Sequence, residues 1–163
     1  MFARLSPAPP AQGADVIARA VGALALAALA VIHVVDLPGT LGPTPLVGAG
    51  YLAIIAAALV TGGVMITRSH WLAWAAAGGV AASAMGGYVL TRAVPGGFLG
   101  DHADVGNWRC PLGIAALSVE AILILLVVLA AWQARVRARR VAPLPVPEPA
   151  RPRTPEFSQR HPG

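Results

Sequence analysis

Histidine, carboxylate and arginine side chains interrupt otherwise apolar stretches of this chain, and their spacing decides what chemistry is open to them. His33 and Asp36 lie three residues apart, which on a helix places both on one face. Asp101, His102 and Asp104 fall together in one polar segment. If these five converge, two imidazoles and up to three carboxylates offer the nitrogen and oxygen ligands that suit a borderline divalent ion such as Zn²⁺ or Cu²⁺. A second constellation is Arg92, Glu120, Tyr88 and Trp108. Glu120 stands alone in a long apolar run, where an ionised carboxylate needs a partner or a proton. Arg92 ends the preceding apolar run, and because helical side chains lean toward the helix N-terminus, Arg92 and Glu120 lean toward each other. Tyr88, four residues before Arg92, shares its helical face. The expectation is an Arg92–Glu120 pair joined by the Tyr88 hydroxyl, with Gly113 and Ala116 leaving room for the incoming side chain. The plainer reading is structural: the pair fixes helix packing, His33 bonds locally, and the acidic segment is solvated.

Other chemistries are disfavoured by what the chain contains. A bis-histidine haem needs two imidazoles facing across helices, and His33 is the only histidine inside an apolar run. Thiol redox of the C-x-x-C type needs a second cysteine, and Cys110 is single. No Walker A, H-E-x-x-H or G-x-S-x-G stretch occurs.

The elements that must position these residues follow from composition. With 163 residues, 56% hydrophobic and only 12% charged, the chain is too apolar for an ordinary soluble domain, which carries about 25% charged residues. Four stretches are long enough for a spanning helix of roughly 20 residues: about 17–37, 46–66, 71–91 and 112–132. Pro38, Pro43, Pro45, Pro95 and Pro111 mark their ends, and Trp71, Trp74, Trp108 and Trp132 sit where interfacial aromatics are expected. The fold class read from this is all-α, an integral membrane four-helix bundle over 14–134. Span three carries two small-residue rows, Gly78, Ala82 and Gly86 beside Ala75, Gly79, Ser83 and Gly87, which suggest a helix near the bundle centre. Span one aligns Ala20, Ala23, Ala27 and Ala30, and span two offers Ala58 and Gly62. Ser118 is expected to bond to its own helix backbone.

Orientation follows from arginine. Arg4, Arg19, Arg68 and the cluster Arg135, Arg137, Arg139 and Arg140 fall on one side of four crossings, so both termini are expected in the cytoplasm. The turn 38–45 and the loop 93–111 then face out, together with nearly all the non-basic polar residues. Span one reads as a retained anchor rather than a cleaved signal peptide, because its apolar stretch exceeds the usual h-region. The net charge of +5 resides in the tail, so it is no nucleic-acid footprint. Residues 1–13 are expected to be disordered. The segment 135–163 is expected to continue span four as a basic helix end that meets anionic headgroups, then to become a Pro-rich cytoplasmic tail.

One stretch carries a resemblance. Residues 87–120, GYVLTRAVPGGFLGDHADVGNWRCPLGIAALSVE, resemble part of a family of uncharacterised small four-span membrane proteins of high-GC Gram-positive bacteria. Those proteins read T-R-T-x-G-x-P-G, then D-x-G-N-W, then P-L-G and a helix carrying Glu. Thr91, Arg92, Pro95, Asp104, Gly106, Asn107, Trp108, Pro111, Leu112, Gly113 and Glu120 match; the glycine usual before the proline is displaced into V-P-G-G. The resemblance implies four spans and marks Arg92, Trp108 and Glu120 as a unit, with no implied activity. The chain thus reads as a bacterial plasma-membrane protein, a non-enzymatic accessory or sensing component with an outer polar pocket. The alternative is a small metal- or proton-linked transport or redox component. Expected partners are the bilayer and a membrane protein or second copy, and no nucleic acid.

Overall fold

The computed structural model describes residues 11–68 and 70–141. Four helices account for most of them: α1 (Ala11–Leu41), α2 (Pro45–Thr67), α3 (Trp71–Ala93) and α4 (Pro111–Val141). Among the described residues there is no strand, only an isolated bridge between Phe98 and Asp101. Even the shortest helices, at 23 residues, extend roughly 34 Å at 1.5 Å per residue, more than a hydrocarbon core. All four are long and apolar enough to cross a membrane. Their outward faces agree: Leu24, Val35, Val60, Ile66 and Trp71 are exposed, which suits lipid rather than water.

Helix ends fall where local chemistry puts them. Pro45 and Pro111 open α2 and α4, where a missing N–H costs nothing. His70 caps α3, its Nδ1 accepting from the Leu72 N–H at 3.2 Å. At the far end of α2, Arg19 of α1 donates through Nε to Met65 O at 2.8 Å and through Nη2 to Ile66 O at 2.6 Å. A cation thus takes two of the terminal carbonyls that a helix leaves unbonded.

Two expected boundaries are corrected. Helix α1 begins at Ala11, inside the segment expected to be irregular, and runs through Pro38 to Leu41 rather than stopping at Leu37. Proline removes only the bond to the Val34 carbonyl, and hydroxyls secure the turn beyond it. Thr40 Oγ1 donates to Asp36 O at 3.1 Å, and Thr44 donates to Thr40 O through both its N–H and its Oγ1, each at 2.9 Å. The connection to α2 shrinks to residues 42–44. The expectations for residues 1–10 and for the Pro-rich tail from 142 onward lie outside the described residues.

Each helix packs against its neighbours in the order α1, α2, α3, α4, and α4 closes on α1, with the most extensive contact between α1 and α2. The core joins Leu26 and Leu29 to Ala58, Met65, Ala77, Ala81 and Leu123. Span three is therefore not central, and its glycine rows are not its buried face. Ala73, Ala77, Ala81 and Ala84, with Val80, are buried, whereas a Cβ added at Gly79, Gly86 or Gly87 would meet nothing within 4 Å. Gly78 alone of those glycines approaches α4, at Val127. Methyl-sized side chains already allow close helix approach, so alanine carries the contact. On α1, likewise, Ala23 and Ala30 are buried but Ala20 and Ala27 are exposed. Ala58 and Gly62 do face the core, and Gly62 lies against Ala23 and Leu26.

Candidate functional site

The polar residues gather at the end of the bundle that holds the 42–44 turn and the 94–110 loop. Arg92, next to the last residue of α3, organises the loop. Its Nε donates to Asn107 O at 2.9 Å, Nη1 to Tyr88 O at 3.3 Å and Thr91 Oγ1 at 2.9 Å, and Nη2 lies 3.2 Å from Asp104 Oδ2. The guanidinium also sits 3.7 Å from the centroid of the Tyr88 ring, a cation–π stack. The Arg92 carbonyl receives the Gly106 N–H at 3.0 Å, so backbone and side chain of one residue hold the returning loop. Tyr88 extends the set: its hydroxyl donates to Trp108 O at 3.1 Å, and its ring meets the Trp108 indole edge-on.

The expected Arg92–Glu120 pair is not formed. Arg92 lies one residue from the end of α3 and Glu120 nine residues inside α4, an axial offset of roughly 12 Å at 1.5 Å per residue. Asp104 is nearer and takes the charge. The space left by Gly113 is filled instead by the Tyr88 ring, since a Cβ at Gly113 would run into it.

His33 and Asp36 do share a face, and α2 supplies their companion. Tyr51 donates its hydroxyl to Asp36 Oδ2 at 2.9 Å and sets its ring edge-on to the His33 imidazole, with centroids 4.9 Å apart. His33 Nδ1 lies 2.9 Å from Leu29 O. A carbonyl only accepts, so Nδ1 carries the hydrogen, and in the neutral ring Nε2 is the acceptor. Tyr51 was not anticipated from sequence. The available signal was its place six residues into an antiparallel helix, level with Asp36 across a short turn.

These groups border one cavity of about 340 Å³. Its walls come from all four helices: Ile32, His33 and Asp36 from α1, Leu46 to Ile54 from α2, Ser83 to Arg92 from α3, and Leu112, Gly113, Ala116 and Glu120 from α4. Phe98 and Leu99 of the loop complete it. Their position depends on Gly97, at φ +85°, where a Cβ would lie 2.8 Å from both Asp101 O and His102 Nδ1. Glu120 stands deep in this cavity, 1% exposed, and its Oε2 accepts no hydrogen bond. It is the one buried polar side-chain atom without a partner among the described residues.

Of the expected pocket set, Arg92, Glu120 and Tyr88 line the cavity, and Trp108 stands behind Tyr88. The expected divalent-metal set does not assemble. Among the described residues no three of His, Cys, Asp and Glu come together to hold an ion. His33 and Asp36 border the cavity, but Asp101 uses Oδ1 to accept the Asp104 N–H, Asp104 pairs with Arg92, and His102 is exposed on the loop. Carboxylates of a loop serve first to fold that loop. Ser118 bonds to Ile114 O at 2.8 Å, as its helical position implies, and Cys110 is free. At the opposite end Arg135, Arg137 and Arg139 are exposed on the last turns of α4, and Arg140 continues the same helix.

Compared with known proteins, the chain matches no family model, no curated protein and no solved structure.

Proposed function

We propose that this chain is a multi-pass protein of the bacterial plasma membrane, with both termini in the cytoplasm, that receives a small molecule in the cavity at its outer end. It acts without catalysis, as an accessory or sensing component. The observation that carries this reading is the cavity itself: four helices and the loop enclose a space of ligand size with a few polar groups at its edge, the general form of a small-molecule site. The resemblance of residues 87–120 to small bacterial membrane proteins supports the assignment of source and membrane. Arg135, Arg137, Arg139 and Arg140 suit anionic headgroups on the cytoplasmic face, and a membrane-protein partner or second copy would relay occupancy.

A second reading, proton-linked transport, is favoured by one feature. Glu120 is a carboxyl inside a spanning helix whose Oε2 meets no partner among the described residues, the kind of residue that marks ion or proton pathways.

Aqueous access to the cavity tests the first reading. In a Cys110→Ser background reconstituted in bilayers, cysteine at Ala116, which lines the cavity, should react with a small water-soluble thiosulfonate. Cysteine at Ala115, exposed on the outside of α4, should not. Equal protection of both would remove the cavity as a site.

A further inference from the structure

The polar atoms that the cavity leaves unspent are acidic or accepting save one hydroxyl, which narrows what it can hold. Arg92, its only cation, is occupied on all three guanidinium nitrogens, and its charge is met by Asp104. The Tyr51 hydroxyl has given its hydrogen to Asp36. What remains is Glu120 Oε2, buried and unpartnered, the second oxygen of Asp36, His33 Nε2, whose ring has already placed its hydrogen on Nδ1, and the Ser83 hydroxyl. His33 Nε2 and the ionised carboxyl oxygens accept, the Ser83 hydroxyl can donate or accept, and two of the four belong to acidic groups.

From this inventory we infer that the cavity binds a small organic cation: an amine with N–H donors on a compact apolar body. The inference rests on the cavity being a ligand site and adds the class of ligand. An ammonium headgroup supplies the hydrogen bond that Glu120 Oε2 lacks, and a charge-assisted bond is roughly twice as strong as a neutral one. Ile54, Leu112 and Ala116 offer the apolar remainder an apolar wall. The size is adequate, since a cavity of about 150 Å³ already admits benzene. An anion would meet Glu120 and Asp36 with no free cation to offset them. A bare metal ion would find too few ligands among the described residues.

A charge series decides the matter. The full chain in phosphatidylcholine nanodiscs is dialysed against 2-phenylethylamine, 2-phenylethanol or phenylacetate, with empty nanodiscs subtracted. The amine should bind at least about tenfold more tightly than the alcohol, and phenylacetate should not exceed background. Glu120→Gln should erase the preference for the amine while leaving alcohol binding in place, and Asp36→Asn should reduce it in part. Gly87→Leu, whose Cβ enters open space on the cavity wall, should remove amine and alcohol binding together.

Equal binding of amine and alcohol by the wild type overturns the inference and leaves the cavity reading standing, and this comparison needs no variant to fold. An amine preference untouched by Glu120→Gln also overturns it, as does tighter binding of phenylacetate. Absence of all binding overturns it too. Failure of the underlying reading shows separately, as equal protection of cysteines at Ala116 and Ala115.

Discussion

Arg92 is 7% exposed yet fully engaged, and its partners explain why the loop after α3 has one shape. A planar guanidinium can stack on Tyr88, bond the Asn107 carbonyl and meet Asp104 at once, which a point-charge ammonium cannot. The expected consequence is a specific coupling. In a double-mutant cycle on detergent-solubilised protein, Arg92→Leu and Asp104→Asn should couple by about 1 kcal/mol or more. Arg92→Leu and Glu120→Gln should be close to additive, and the reverse ranking would restore the pair that sequence suggested. Gly113→Ala belongs to the same scale. Its Cβ must displace the Tyr88 ring, so a loss of about 1–3 kcal/mol is expected, together with altered Trp108 fluorescence. An unchanged melting curve and spectrum would show that Tyr88 does not fill that space.

The helices themselves were legible in sequence because a membrane-length apolar run with proline at its edges admits few other structures. In the structure α2 runs Pro45–Thr67, and residues 94–110 lie between α3 and α4. Less legible was whatever depended on geometry without a period. Asp104 has no fixed offset from Arg92, since a loop rich in positive-φ glycines, Gly96, Gly97, Gly100 and Gly106, sets its own path. The buried face of α3 was misassigned because alanine and glycine both read as small, although only the Ala73, Ala77, Ala81 and Ala84 stripe faces the core. Arg19 was read as a marker of orientation, and it also caps α2. Two bonds from a charged donor to terminal carbonyls imply that Arg19→Gln lowers stability by about 1–2 kcal/mol. Denaturation in a detergent titration checks this, with Arg68→Gln as the control; equal stability of the two variants would leave Arg19 with orientation alone.

At the scale of the whole molecule, the two ends of the bundle differ in chemistry. One end collects Asp36, Tyr51, Arg92 and Glu120 around a cavity, with Asp104 paired to Arg92, and the other carries Arg135, Arg137 and Arg139 on an extended α4. Lipid offers no hydrophobic drive for helix association, so polar contacts and close packing hold such a bundle. Its cavity is useful to a small molecule arriving from outside only if that end faces outward. Labelling of single cysteines in whole cells, in the Cys110→Ser background, measures this most directly. Cysteine at Gly42, in the exposed turn between α1 and α2, should react with a membrane-impermeant maleimide in intact cells. Cysteine at Gln159 should react only after the cells are opened. Labelling of Gln159→Cys in intact cells with Gly42→Cys protected would contradict the account.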